Sequence, residues 1–315
     1  MRPILTLTIN PTIDLTMEID ALEPTGKNRA TLLGVAPGGG GINVARALVE
    51  LGGEATAIHT SGGAVGARLE RLFDEEGLPH EAVDIEGETR EALVLFEREH
   101  HRSYHIVPPG PEMSPAARER LTATLSHQLR EGAIVVASGS VPPGIGDDVY
   151  AAMADLVRGS GAKLVLDTSG AALRPALESG VYVVKPNRRE AGTLVGHEIE
   201  DLDDALEAGR RLFGQGAAEI VIVTAGELGA AIVHDGSEAL LHTPPLPRKA
   251  RSDRGAGDSF VAGLTLGLAR GDDPVDACAT AVAAGAAAVL TPGTELCRRE
   301  DVESLRPKVG ITRSP

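Results

Sequence analysis

Residues 251–263 read RSDRGAGDSFVAG, a Gly-Ala-Gly turn that runs into a helical pattern and delivers Asp258 to the first helical turn. Gly255 and Gly257 let the backbone curl, so that successive N–H groups around Ala256 point at one spot where the helix dipole favours an anion. A carboxylate there would repel phosphate unless it had chemistry to perform. Asp258 therefore reads as a general base for an attacking hydroxyl, with the 255–258 amides holding charge that develops on a transferred phosphoryl group. A helix N-terminus merely capped by Gly and Asp is the competing reading, and four residues alone do not exclude it.

The chain around this turn alternates apolar runs of strand length with helical patterns. The runs are ILTLTI at 4–9, ATAIHT at 55–60, AIVVAS at 133–138, KLVLDT at 163–168, VYVVKP at 181–186 and EIVIVTAG at 219–226. Helical patterns cover 43–51, 66–76, 115–130, 147–159, 171–178, 201–213 and 258–270. This rhythm predicts an α/β fold, a doubly wound and mostly parallel sheet with helices on both faces. Two half-polar segments, 15–35 and 89–107, break it and predict a small antiparallel β-sheet lid beside a cleft. The expected division is an α/β domain of 1–14, 36–88 and 108–315, with 15–35 and 89–107 as the lid. EREHHRSYH at 97–105 has no metal-ligand spacing and reads as a solvated hairpin turn.

A chain of 315 residues can bury a large core, and with no Trp, three Tyr and four Phe that core must rest on aliphatic side chains and close glycine contacts. A formal net charge of −15 argues against nucleic acid or an anionic membrane as partner. The two cysteines, Cys278 and Cys297, form no disulfide framework and fit a reducing cytosol. The N-terminal apolar run is too short for a signal peptide, and the alanine-rich stretch from 277 to 290 falls short of the roughly 20 residues of a membrane helix. A cytoplasmic protein is expected.

Ligands of an open parallel sheet bind outside the carboxyl ends of its strands, and the unusual residues of this chain gather there. Asn10 and Asp14 follow the first strand; SGSVPPG at 138–144, DTSG at 167–170, KPNRRE at 185–190 and TAGELG at 224–229 follow later ones. PGGGGINVARA at 37–47 opens a helix with four glycines and places Asn43 in its first turn, which predicts close approach of a ligand, a polyol, to the backbone. It is neither a Walker-type loop nor a good dinucleotide fingerprint. Asp14 could accept from sugar hydroxyls and Asn43 could donate and accept. Lys27, Arg29 and Arg90 on the lid segments could hold a phosphate already on the substrate, or serve only solubility. Asn187 and Glu190, three apart at a helix start, with Asp167 near, suit Mg²⁺ better than a transition metal; a capped helix start is the alternative.

Taken together and in order, GGGGINVARA, SGSVPPG, VKPNRRE and GAGDS resemble the PfkB carbohydrate kinases of the ribokinase superfamily, over nearly the whole chain. GKNRA and PGTELC make the bacterial minor-type 6-phosphofructokinase branch the most similar. The resemblance implies a ribokinase-like fold, ATP and Mg²⁺, a sugar phosphate acceptor, and a homodimer joined through the lids. It implies Asp258 as base and Gly255, Ala256 and Gly257 as anion hole. Asp14, Gly39 and Asn43 fall on sugar-binding positions. Arg90 and Lys27 fall on those for the substrate's phosphate, Lys27 from the neighbouring subunit, with Arg29 and Ser138 as further candidates. Asn187 and Glu190 fall in the Mg²⁺ and phosphate region, Lys185 at the nucleotide phosphates, and Thr224, Gly226 and Gly229 in the nucleotide pocket. Related 1-phosphofructokinases and tagatose-6-phosphate kinases share these motifs, which leaves the acceptor open. The chain departs from the pattern at Ser252-Asp253-Arg254, where similar members carry Ser-Thr-Val. Asp253 adds a negative charge near the ATP phosphates and Arg254 a compensating positive one: a pair satisfied internally would leave activity intact, whereas an Asp253 facing the phosphates would weaken it and suit a non-catalytic sensor instead.

Overall fold

The computed structural model describes every residue except Arg251, Asp253, Thr294, Ser314 and Pro315. The chain begins with β1 (Ile4–Thr8), β2 (Thr12–Ile19) and β3 (Thr31–Gly38), then α1 (Gly40–Glu50), β4 (Thr56–Ser61), α2 (Gly63–Glu76) and β5 (His80–Asp84). A hairpin of β6 (Arg90–Glu97) and β7 (Arg102–Ile106) precedes α3 (Pro115–Gln128), β8 (Ile134–Ser138), α4 (Val149–Gly159) and β9 (Lys163–Asp167). Next come α5 (Leu173–Ser179), β10 (Val181–Val184), α6 (Arg188–Val195), α7 (Leu202–Gly214), β11 (Ala218–Thr224), β12 (Gly229–His234) and β13 (Ser237–His242). Then α8 (Ala256–Arg270), α9 (Pro274–Ala288), α10 (Arg299–Leu305) and β14 (Gly310–Arg313) complete the described chain.

One sheet runs β14-β13-β12-β11-β10-β9-β8-β1-β4-β5. From β11 to β5 neighbouring strands are parallel, as expected, while β12, β13 and β14 add an antiparallel edge that the periodicity did not predict. The chain leaves β1 through β4 and β5 on one side and resumes at β8 on the other, so the order reverses between β1 and β8. That reversal opens a crevice at their carboxyl ends. Alternate strand residues feed two cores: Ile134 and Val136 pack with residues of α1, α2, α8 and α9, whereas Val135 and Ala137 pack with residues of α3, α4, α5 and α7.

The alanine-rich stretch beginning at 277 belongs to α9, which lies against α8. A Cβ on Gly267 would come within 2.9 Å of Ala277 Cα, and one on Gly263 within 3.1 Å of Ala281 Cα. Small residues let the two backbones approach, and α8 is thereby seated with its N-terminus at the crevice.

The second sheet runs β3-β2-β6-β7. It is mixed rather than antiparallel: β2–β3 and β6–β7 are antiparallel, but β2 pairs β6 in parallel. The cause is the connection, since α1, β4, α2 and β5 intervene between the two hairpins and return the chain in the same direction. Its strands reach further than 15–35, from Thr12 to Gly38, and Asp14 lies on β2 itself.

Candidate active site

Gly255 caps α8 in the left-handed region at φ 69, turning the amides of Ala256 and Gly257 outward ahead of Asp258. Asn43, in the first turn of α1, donates its Nδ2 to Asp258 Oδ2 at 2.9 Å. Loss of solvent pushes the Asp258 carboxyl up to about 7; Asp167 and Asp14 add repulsion, while the Asn43 hydrogen bond and the Lys185 ammonium oppose it. A carboxylate held near neutrality can accept a hydroxyl proton and release it again.

The glycine run before α1 has a different physical cause from the one expected. A side chain on Gly40 would collide with Ser138 Oγ, and one on Gly41 would come within 2.5 Å of Leu7 O. The carboxylate of Asp14 fills the space a Gly38 side chain would need. The chain's own strand ends at the β1/β8 reversal approach these glycines closely enough to require them, and of Gly38 to Gly41 only Gly39, at φ 111, needs glycine for its conformation as well. This packing brings Asn43 to Asp258 and sets Gly39 and Ser138 beside the crevice.

Along the carboxyl ends of β8 to β11 the expected residues meet. Lys185 Nζ pairs with Asp167 Oδ1 at 3.0 Å, and Ser138 Oγ lies 3.5 Å from Asp167 Oδ2. Burial works against the Lys185 charge, but Asp167, with Glu190 and Asp258, outweighs it and holds its pKa above the ordinary value. Asn187 and Glu190 form a capping box: Asn187 Oδ1 accepts from the N–H of Arg189 and Glu190, each at 3.0 Å, and Glu190 Oε2 accepts from Asn187 N–H at 2.9 Å. The cap alternative is thus realised, and it leaves Glu190 Oε1 without a partner in the box. Burial and the charge of Asp167 raise the Glu190 carboxyl, against the Asn187 N–H and Lys185. Thr224 bridges to Asn187 at the next strand end. Gly226 is left-handed at φ 62 with open space beside it, whereas Gly229 is glycine because Leu241 O of β13 occupies the Cβ position.

No group of three His, Cys, Asp or Glu able to hold a metal ion forms among the described residues. Mg²⁺ does not require one, since it keeps several waters and binds through one or two carboxylates plus substrate phosphates. Glu190 and Asp167 fit that demand: both are carboxylates beside the Lys185 site, and burial, with a smaller contribution from the charge of Asp167, raises the Glu190 carboxyl, a cost that a cation would offset.

On the second sheet, burial raises the Asp14 carboxyl to about 6, against the charges of Arg46, Arg90 and Arg254. Arg90, opposite Thr12 at the start of β6, donates to Pro108 O at 2.8 Å, Asn10 O at 2.7 Å, Ser140 Oγ at 3.2 Å and Pro11 O at 3.4 Å. Lys27 and Arg29 are not brought to this site. They are exposed in the connection between β2 and β3, and from Asp14 to Ile19 alone β2 runs about 17 Å, at ~3.4 Å per residue. Arg46, Ser140 and His105 lie within the quoted segments 37–47, 138–144 and 97–105 but were not singled out there, because their proximity to Asp14 or Arg90 exists only in the folded chain. In the hairpin 97–105, Glu97 accepts from Tyr104 Oη and pairs with His100, each at 2.9 Å. Asp253 lies outside the described residues.

A cavity of about 430 Å³ sits at the opposite, amino-terminal ends of β9 to β11, lined by Arg158, Lys163, Tyr182 and Phe213 among others. Its cations are engaged, Arg158 with Ser179 O and Gly180 O and Lys163 over the Tyr182 ring at 3.9 Å. It shares nothing with the crevice.

Fold and crevice together define a phosphotransferase that activates a hydroxyl of a small acceptor. The chain belongs to the pfkB family of carbohydrate kinases, whose model matches residues 7–301, and is an ATP-dependent sugar kinase. It is 40% identical over 300 residues to the ATP-dependent 6-phosphofructokinase isozyme 2 of Mycobacterium tuberculosis, covering 95% of this chain and 88% of that protein. The 1-phosphofructokinase of Xanthomonas campestris is 33% identical over 306 residues, covering 96% and 92%. The crystal structure of Escherichia coli phosphofructokinase-2 in complex with fructose-6-phosphate superposes with a TM-score of 0.91 at 36% identity, covering 98% and 99%.

Proposed function

We propose that the enzyme transfers the γ-phosphoryl group of ATP to the C1 hydroxyl of fructose 6-phosphate, giving fructose 1,6-bisphosphate and ADP. The observation that carries this reading is Asp258, poised near neutrality at the mouth of the 255–258 turn and oriented by Asn43. Asp258 removes the C1 hydroxyl proton as the oxygen attacks in line, and the turn's amides stabilise the transferred group. Asp14, Gly39 and Asn43 hold the sugar, Ser138 lines it, and Arg90 faces its phosphate. Lys185, Asn187, Thr224, Gly226 and Gly229 flank the nucleotide. Glu190 and Asp167 would hold Mg²⁺ through water and phosphate oxygens, where the ion would neutralise phosphate charge.

The small sheet, 15–35 and 89–107 with their flanks, serves as lid and dimer contact. Leu32 and Leu33 on β3, Ile106 on β7 and Val107 beside it are 43% to 57% exposed, apolar side chains on the two outer strands of the sheet that a second copy would cover. Such a dimer would carry Lys27, and Arg29 beside it, toward the partner's crevice. No helix among the described residues is long and apolar enough to cross a membrane, and the cytoplasm, which holds ATP and sugar phosphates, is the compartment this reading implies.

The test is ADP release from Mg·ATP with fructose 6-phosphate, fructose 1-phosphate, tagatose 6-phosphate and fructose. Highest kcat/KM with fructose 6-phosphate is expected. Preference for fructose 1-phosphate would favour the activity named for the Xanthomonas relative, and no turnover with any would overturn the reading.

A further inference from the structure

The phosphate of a sugar phosphate carries a charge near −2 and would share the crevice with the Asp14 and Asp258 carboxyls, so the crevice needs cations with free donors. Three guanidinium groups act on Asp14, and two are already engaged. Arg46 forms a two-point pair with Glu76 through Nε and Nη2 at 2.7 and 2.9 Å. Arg90 has four of its five N–H groups directed at Pro11 O, Pro108 O, Asn10 O and Ser140 Oγ, which leaves one for a ligand. Arg254 differs. It is half-buried, yet its side chain has no hydrogen bond or ion pair among the described residues.

The backbone of Arg254 is pinned. Its N–H donates to Ser252 Oγ at 3.1 Å, and that hydroxyl donates to Gly293 O at 2.7 Å. Gly293 in turn lies against Phe96 and Thr16, on the face of the small sheet that also carries Asp14 and His105. The residue just before the anion turn is therefore fastened to the side of the crevice closed by the sheet. Its charge acts on Asp14 and His105. The guanidinium is thus coupled to the acceptor side of the crevice, the side to which its backbone is fastened.

Building on the proposed sugar-phosphate kinase activity, we propose that Arg254 is a ligand of the acceptor's own phosphate, contributed by the same chain, and sets the preference for phosphorylated over unphosphorylated sugar. With no side-chain partner among the described residues, its guanidinium can grip two phosphate oxygens at once, which Arg90 as placed cannot.

The test compares wild type with Arg254→Gln and Arg254→Lys, measuring kcat and KM for fructose 6-phosphate, fructose and Mg·ATP. Calorimetric titration with fructose 6-phosphate reads binding without turnover. In Arg254→Gln, KM for fructose 6-phosphate should rise at least tenfold, KM for Mg·ATP should move less than threefold, and the kcat/KM preference for fructose 6-phosphate over fructose should drop at least tenfold. Arg254→Lys should recover part of the loss. An equal loss on both sugars, or a rise confined to Mg·ATP, would overturn the assignment while the kinase reading stands. A wild type that neither turns over nor binds any sugar phosphate would overturn both.

Discussion

Asn43 Nδ2 and Asp258 Oδ2 lie 2.9 Å apart although 215 positions separate the two residues in the chain. The bond joins the first turns of α1 and α8 and fixes where the carboxylate points. It also favours the ionised form of a group whose burial favours the protonated one.

Asp258→Asn keeps the shape of this contact and removes the base. We expect kcat to fall at least about a hundredfold with little change in KM for either substrate, because general-base action contributes roughly 10²- to 10⁴-fold. A coupled ADP assay reads it, and an unchanged kcat would sink the role given to Asp258.

The base works only when deprotonated, and its pKa is about 7. Hence kcat/KM should be level above that value and fall about tenfold per unit below it. Asn43→Ala removes a bond that lowers the pKa, so the acid limb should move to higher pH. A rate that is flat from pH 5 to 8 would contradict the assignment.

Arg90→Ala should raise KM for the phosphorylated sugar about tenfold or more, since a hydrogen bond to a charged group is worth about 1.5–3 kcal/mol. The same change unfastens Asn10, Pro108 and Ser140, which together shape that side of the crevice. Steady-state kinetics with KM unmoved would place the acceptor's phosphate elsewhere.

His59 is buried between Phe73, stacked at 4.5 Å, and His80, whose Nδ1 is 3.1 Å from its Nε2. Burial lowers its pKa to about 4, with His80 adding to the effect, the Thr60 carbonyl opposing it, and Asp74 reaching only His80. The folded state therefore keeps His59 neutral while the unfolded state protonates it near 6.5, so stability present above 6.5 is lost as pH falls toward 4. The loss is on the order of 3 kcal/mol at about 1.4 kcal/mol per unit. Urea unfolding of His59→Phe at pH 7 and pH 5 should show a smaller acid loss than wild type; an equal loss would assign the effect to other groups.

Gly267→Val should destabilise by about 1–3 kcal/mol, because a Cβ there meets Ala277 Cβ at 2.8 Å and its backbone at 2.9 Å. A urea midpoint within error of wild type would show that α8 and α9 can separate without cost.

The α/β class, the run of strand ends and the 255–258 turn were legible in the sequence because strand length, helical periodicity and turn glycines are local properties. The antiparallel edge of β12 to β14 was not, since short, partly polar strands carry little period. Glycine itself was ambiguous: in the sequence nothing showed that Gly40 and Gly229 are also places where the chain packs against itself.

The sequence by itself determined the alternation of buried strands with helices and that Asp258 stands at a helix start, for these depend on neighbours within a few positions. Only the tertiary structure decided that Asn43 reaches Asp258, that Lys185 pairs with Asp167, that β2 and β6 run parallel, and that Arg90 is engaged while the Arg254 side chain has no partner among the described residues. Those facts depend on how the crossover returns the chain and how closely α8 meets α9, which no local pattern encodes.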